Sequence, residues 1–159
     1  MEFQRVLRTD PERAFIVVRN VYSTASLTDG QWAAWDIQTT QDGVAVTRPV
    51  LRMRSAIAGV AVETIPNGSY GVLQCWGYKS NARCRGGTGG TAASKVTIGA
   101  ALKFQTSGFA AQNFAKNSAQ LKSYSGKFPC GIVIAPLNTA ALVTQFNTSG
   151  AYRVLIRCL

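Results

Sequence analysis

The chain has 159 residues, of which 47% are hydrophobic, with 17 Lys and Arg against seven Asp and Glu and no histidine. This length fits one domain that buries about two thirds of the surface exposed by its unfolded form, and the hydrophobic content excludes global disorder. Histidine is the commonest general acid–base group and the commonest metal ligand, so its absence argues against catalysis. We expect no enzymatic activity.

The charge is unevenly placed along the chain. Through Glu63, seven basic residues balance seven acidic ones, whereas the ten basic residues after Glu63 meet no acid, so this part carries the whole net charge of +10. Such a surface attracts polyanions, which include nucleic acid, an anionic membrane and an acidic protein surface. The apolar runs stop short of the about 20 residues that span a bilayer, and no signal peptide is recognisable at the N-terminus. We expect neither insertion into a membrane nor secretion.

The first half of the chain predicts short strands separated by turns. Residues 1–13 are interpreted as an N-terminal arm or, equally, a disordered tail. Alternation of side chains and β-branched or aromatic composition predict strands at residues 14–22, 32–39, 44–47, 58–63 and 72–77. The last two are joined by Pro66-Asn67-Gly68, whose residue types favour a turn.

The second half is less regular. Residues 79–94 are rich in glycine and predict a flexible loop, since they lack the spacing of a phosphate-binding loop. Further predictions are a strand, turn and strand at 96–104, a helix at 108–124, and strands at 129–137 and 151–159. No internal repeat is visible. Together these elements predict a mainly β fold: a single-domain antiparallel β-barrel or β-sandwich over residues 14–159, with long loops and at most one short helix.

Four cysteines lack the CxxC spacing of zinc sites, namely Cys75, Cys84, Cys130 and Cys158. Without a secretory signal we expect them to be reduced and mostly buried. A disulfide between Cys75 and Cys84 is the alternative, if the chain turns back after Tyr78. No catalytic, cofactor-binding or metal-binding residue is predicted.

Aromatic and basic side chains supply the candidate interface. Trp32 and Trp35 lie three residues apart in a strand, so they face opposite sides; one could belong to the core and the other to an interface, or both to the core. Trp76 and Tyr78 share a face beside a basic loop, as in proteins that stack nucleic-acid bases, although a solvated loop is the alternative. The candidate interface residues are Trp32, Trp35, Arg48, Arg52, Arg54, Trp76, Tyr78, Lys79, Arg83 and Arg85.

The order of the segments resembles a known family. The segments are FIVVRNVYS, GQWAAWDIQT, DGVAVTRP, AGVAVETIPNGSYGVLQCWGY, a Gly/Thr loop, VTIGAALKF, GIVIAPL and YRVLIRCL. This order is similar to that of small proteins encoded beside the major capsid protein in tailed bacteriophages, the head decoration or cement proteins. The resemblance covers residues 14–159, and its most specific part is 58–78, with its glycines at positions 59, 68, 71 and 77. Residues 108–127 and the cysteines fall outside it.

The resemblance implies a structural role, with no reaction and no cofactor. Such proteins bind the outside of an expanded icosahedral shell, often as oligomers, and hold neighbouring capsid subunits against the pressure of packaged DNA. We therefore expect a virion protein at the capsid surface whose partners are the major capsid protein and further copies of the chain, as a dimer or trimer. The alternatives are a neck, tail or fibre-associated virion protein and, less favoured, a basic nucleic-acid-binding module.

Overall fold

The computed structural model describes residues 12–50, 56–85, 98–99, 101–103, 110–113, 130–136 and 149–158. The prediction of a mainly β fold is confirmed, since these residues form strands, turns and connections and no helix. The strands are β1 (Arg13–Asn20), β2 (Trp32–Trp35), β3 (Ala45–Thr47), β4 (Ile57–Ala61), β5 (Tyr70–Arg85), β6 (Ala101–Lys103), β7 (Ala111–Asn113), β8 (Gly131–Pro136) and β9 (Ser149–Arg157). Among the described residues there is no helix that could cross a membrane.

β1 illustrates how the sequence forms these strands. Its β-branched and aromatic side chains favour extended backbone, and successive side chains point to opposite faces. Ile16 and Val18 therefore face a buried cluster, while Phe15 and Val17 face outward. The strand is apolar on both faces, although only one of them is packed against the rest of the described chain.

The long strand β5 organises the sheet. Its first half pairs with β1 and β4, and its second half pairs with β9 and β7. The strand order is β1-β3-β2-β4-β5-β7-β6-β8-β9, with additional pairings of β1 with β5 and of β5 with β9. The pairings therefore form two closed series of hydrogen-bonded strands, each of which begins and ends at β5. We call each closed series a circuit. The first circuit contains β1 to β4 and the first half of β5; the second contains the second half of β5 and β6 to β9.

The two circuits repeat one topology. Taken in chain order, the first strand of each circuit pairs parallel with the third and antiparallel with the fifth. The second pairs antiparallel with the third and fourth, and the fourth with the fifth. Before the second strand, Gly30 donates its N–H to the carbonyl of Ala61 at 2.9 Å, and Gly99 donates to Val133 at 2.8 Å. The sequence shows no repeat, but the topology is duplicated.

Three predictions about elements are wrong. Residues 79–85 were predicted to be loop but continue β5, because they pair with β9. Within the predicted helix at 108–124, Ala111–Asn113 is strand β7, and residues 114–124 lie outside the described part. The ladders are not all antiparallel, since β1–β3 and β5–β7 are parallel over two residue pairs each. The strands predicted at 14–22, 32–39, 44–47, 58–63, 72–77, 129–137 and 151–159 overlap β1, β2, β3, β4, β5, β8 and β9.

Two buried clusters lie on opposite faces of β2 and β4. The first-circuit cluster contains Val18, Leu27, Ala33, Val46, Ala58, Ala61, Ile65 and Leu73. The shared cluster combines side chains of both circuits: Trp32, Ala34, Ile57, Val60, Ala82, Cys84, Leu102, Ala111, Cys130, Val133, Tyr152, Val154 and Ile156. The two circuits are therefore joined by a common core as well as by β5.

Candidate functional site

Trp32 and Trp35 both take part in packing. Trp32 is fully buried in the shared cluster, and its indole Nε1 donates to the carbonyl of Arg83 at 2.9 Å. Trp35 is half-buried and packs against the first-circuit cluster on the other face. As the sequence predicts, the two rings face opposite sides. Each side holds a cluster, so Trp32 offers no surface to a partner and Trp35 offers only a part of its own.

The basic residues after Tyr78 hold a neighbouring loop. Lys79 Nζ lies 2.7 Å from Asp29 Oδ1, and Asn81 Nδ2 donates to Asp29 Oδ2. Arg83 Nη2 donates to Thr28 Oγ1 at 3.1 Å. We call these five residues the clasp. Its contacts fasten the turn before β2 to the second half of β5.

The clasp is an ionic contact at neutral pH. Burial raises the pKa of Asp29, but the hydrogen bonds from Lys79 and Asn81 and the charge of Lys79 outweigh it, so the pKa lies below the ordinary value. The side chain of Lys79 is only 11% exposed. This cation is therefore neutralised within the chain, which makes it a poor ligand for a phosphate backbone.

The other aromatic and basic candidates are spread apart. The guanidinium of Arg157 lies over the Trp76 ring at 5.8 Å, on a face that a base would need for stacking. Arg48 lies instead over the ring of Tyr22, at 5.3 Å. Tyr78 is half-buried, and its carbonyl accepts from Gln74 Nε2 at 2.9 Å. The predicted residues outside the described part are Arg52, Arg54 and the side chain of Arg85.

An exposed apolar surface on the β1–β5 ladder was not predicted from the sequence. Phe15 is 51% exposed, Val17 66% and Tyr70 65%. Val17 pairs with Val72, and Arg19 pairs with Tyr70, so the exposed side chains share the outer face of the ladder. We call Phe15, Val17 and Tyr70 the outer strip. Exposed aromatic and branched side chains on a paired ladder form a surface suited to a protein partner.

The outer strip cannot be predicted from the composition of β1, because the strand is apolar on both faces. Phe15 and Val17 alternate with Ile16 and Val18, and composition does not say which pair is buried. A usable signal was Arg19, which shares a face with Phe15 and Val17 and marks that face as the solvent side.

The four cysteines are free thiols. Burial is the main cause that raises the pKa of Cys84 and of Cys130 far above the ordinary value, and it raises the pKa of Cys158 to about 12. Cys75 and Cys84 lie nine positions apart on one strand, so the alternative of a disulfide between them is wrong. In the described part, no three His, Cys, Asp or Glu side chains lie together as a metal site would require.

Comparisons with known proteins return no match: no protein-family model, curated protein or solved structure is significantly similar to the chain. The outer strip, the clasp and the charge distribution are therefore the features of the chain itself that bear on its function.

Proposed function

We propose that the chain is a structural protein of a tailed-bacteriophage virion, which binds the outer surface of the expanded capsid and cements the shell. The segment order of residues 14–159 supports this proposal, since it resembles the decoration proteins. The observation that carries it is the outer strip, an exposed apolar surface on the ladder between β1 and β5.

The outer strip has the composition of a binding surface. Tyrosine and phenylalanine are enriched in the centres of protein interfaces, and burying one such side chain contributes about 1.5–3 kcal/mol. Arg19 lies beside Tyr70 on the same face, and the chain carries a net charge of +10. An acidic capsid exterior would therefore attract the chain before the strip is buried.

The scaffold suits a protein that holds neighbouring capsid subunits together. We propose that each circuit is a small β-barrel and that the two barrels share β5. This arrangement is a specific version of the β-barrel predicted from the sequence. Closed circuits pair the edges of their strands and leave fewer free edges for unwanted association. Several copies on one shell, as a dimer or trimer, would multiply weak contacts through avidity.

The structure bears differently on the two alternatives, a nucleic-acid-binding module and a neck, tail or fibre-associated virion protein. Nucleic-acid binding loses support because Lys79 and Arg83 are engaged in the clasp and Arg157 covers a face of Trp76. A neck, tail or fibre-associated position in the virion would use the same outer strip, so only the binding partner separates it from the capsid. We propose no reaction and no cofactor.

Binding to expanded, emptied capsids of the phage that encodes the chain tests the proposal. The test variant is Phe15→Thr with Val17→Thr, and the control variant is Ile37→Thr with Ile98→Thr. Ile37 is 51% and Ile98 67% exposed, which matches Phe15 and Val17. We expect the test variant to bind capsids at least about tenfold more weakly, which corresponds to about 1.4 kcal/mol, while the control binds like the unchanged chain.

Two results would contradict the proposal. One is micromolar binding to DNA at physiological salt together with no binding to expanded capsids. The other is equal capsid binding by the test and control variants, which would remove the outer strip from the interface. Binding to isolated tails and not to capsids would favour the neck or tail alternative.

A further inference from the structure

A cleft of ≈ 380 Å³ is lined by residues of the first circuit and its connections, and no residue of the outer strip lines it. Three segments form its walls: the end of β1 with residues 21–23, the turn after β2 with residues 36–40, and the end of β3 with residues 47–50. Backbone hydrogen bonds hold these walls, since Val21 donates to Val46 and Asp36 donates to Ala45, both at 2.9 Å. Its volume is within the range of about 300–1,000 Å³ found for ligand sites.

Arg48 brings an unpaired donor to the cleft. Its Nε is buried and has no hydrogen-bond partner, while its guanidinium is held over the Tyr22 ring at 5.3 Å. An unsatisfied buried donor is unfavourable, and such groups in native proteins call for an explanation. A ligand acceptor in the cleft would therefore bind the terminal nitrogens of the guanidinium, because Nε itself has no exposed surface.

Asp36 brings a fixed acceptor to the same cleft. The residue is only 7% exposed, and its Oδ1 accepts the backbone N–H of Gln38 at 3.2 Å and of Thr39 at 3.0 Å. These bonds orient the carboxylate and leave Oδ2 as the oxygen that can accept from a ligand. Because one carboxylate accompanies one guanidinium, the lining has no net charge and favours neither a simple anion nor a simple cation.

The remaining lining is rich in hydroxyl groups. The hydroxyl-bearing residues are Ser23, Thr39, Thr40, Thr47 and Tyr22. Each hydroxyl can donate and accept a hydrogen bond. A matching ligand therefore carries several groups that also donate and accept, together with an apolar surface for the ring of Tyr22 and for Val21 and Val50.

We propose that this cleft binds a neutral saccharide through the guanidinium of Arg48, the carboxylate of Asp36 and the surrounding hydroxyls. Sugars combine hydroxyl groups with apolar C–H faces. These groups match the hydroxyl-bearing and apolar residues that line the cleft. The sugar could be free or could be a unit of a polymer at a surface. This inference does not depend on the outer strip, whose residues do not line the cleft.

The test is an amide-resolved NMR titration of the full chain with glucose, galactose, mannose and N-acetylglucosamine, each to about 50 mM, which detects millimolar dissociation constants. We expect at least one sugar to shift the amides of Tyr22, Thr39 and Arg48. Arg48→Met should weaken this binding at least tenfold, and Arg153→Met, at an exposed position of β9, should leave it unchanged. Thr47→Val provides a second cleft variant if Arg48→Met fails to fold. A polysaccharide of the sugar that binds shows whether a polymer unit is also accepted.

The proposal is overturned if no sugar shifts these amides, or if neither Arg48→Met nor Thr47→Val weakens the binding. It is also overturned if inorganic phosphate or acetate shifts the same amides and the sugars do not, because the cleft would then be an anion site. Loss of capsid binding in the strip variant would leave the sugar titration unaffected, so this proposal and the proposed function can fail separately.

Discussion

Gly77 and Gly68 both have positive φ values, 91° and 79°, but lie in different surroundings. A side chain on Gly77 would collide with the backbone carbonyl of Glu12, just before β1 begins its pairing with β5, whereas a Cβ on Gly68 would meet no atom within 4 Å. The first glycine is therefore required by space and by conformation, and the second by conformation alone.

This difference predicts unequal effects of alanine at the two positions. Gly68→Ala should lower the free energy of unfolding by about 1–2 kcal/mol, the cost of a left-handed conformation for a residue with a Cβ. Gly77→Ala carries the same conformational cost and must also displace the start of β1. It should therefore lower the free energy of unfolding by more than about 3 kcal/mol in total. Urea unfolding of the two variants measures this, and equal losses would contradict the close approach of the Glu12 backbone to Gly77.

The buried thiols predict that the protein loses stability in alkali. An unfolded cysteine ionises near pH 8.5, whereas burial keeps Cys84 protonated in the folded chain and raises the pKa of Cys158 to about 12. Above about pH 8.5 the unfolded state therefore binds fewer protons than the folded state. The free energy of unfolding should then fall by up to about 1.4 kcal/mol per pH unit for each buried thiol.

Urea unfolding at about pH 8 and about pH 10, with a reductant present, measures this effect. Cys84→Ala removes one of the thiols, so its stability should fall less steeply with pH than that of the unchanged chain. Burial and the neighbouring Cys84 also raise the pKa of Cys130 and of Tyr152, so the comparison reports Cys84 together with these two groups. Equal slopes would show that Cys84 ionises in the folded protein.

Among the connections, the clasp fastens the turn before β2 to β5. Because the Lys79 side chain is 11% exposed and Asp29 45%, their ion pair is partly screened by solvent. A double-mutant cycle of Asp29→Ala and Lys79→Met should give a coupling energy of about 0.5–1 kcal/mol, the range for partly exposed pairs. Thermal or urea unfolding supplies the four stabilities.

The control cycle uses Arg19 and Asp42, whose charged atoms lie 3.5 Å apart with both side chains more than a third exposed. Its coupling energy should be close to zero, as for most exposed pairs. If the coupling energy of Asp29 and Lys79 is no larger than that of the control pair, their ion pair adds no stability. Lys79 would then again be a candidate for contact with a partner.

The sequence predicts strands where local pattern and tertiary structure agree. Alternation and turn residues were sufficient for β1, β4 and the start of β5. The end of β5 is not predicted from the sequence, because the glycines after Arg85 indicate a loop. Pairing with β9 extends the strand to Arg85. Among the residues of the candidate sites, Trp32, Trp35 and Arg48 are predicted from the sequence, whereas Phe15 and Val17 are not. Which apolar face of β1 is covered depends on strands distant in sequence.

At the scale of the whole molecule, two circuits of equal topology share a strand and a core. Trp32 of the first circuit donates to Arg83 in the second half of β5, and it lies among Val154 and Ile156 of β9 in the shared cluster. A duplicated topology could give two units that unfold separately. The shared strand and cluster argue instead for one cooperative unit. The second circuit packs its buried side chains into the shared cluster, and the first circuit loses its own packing there when the second opens.

Native-state hydrogen exchange distinguishes these outcomes with a pair of matched variants. Val154→Ala removes buried methyl groups from the shared cluster, and Val18→Ala does so from the first-circuit cluster; both valines are fully buried. Each should cost about 2 kcal/mol. If the chain is one cooperative unit, each variant lowers the protection of the slowest amides in β1 and in β9 by the same amount. A loss of protection limited to β9 in Val154→Ala and to β1 in Val18→Ala would instead show two independent units, in which β5 joins the circuits without coupling their stability.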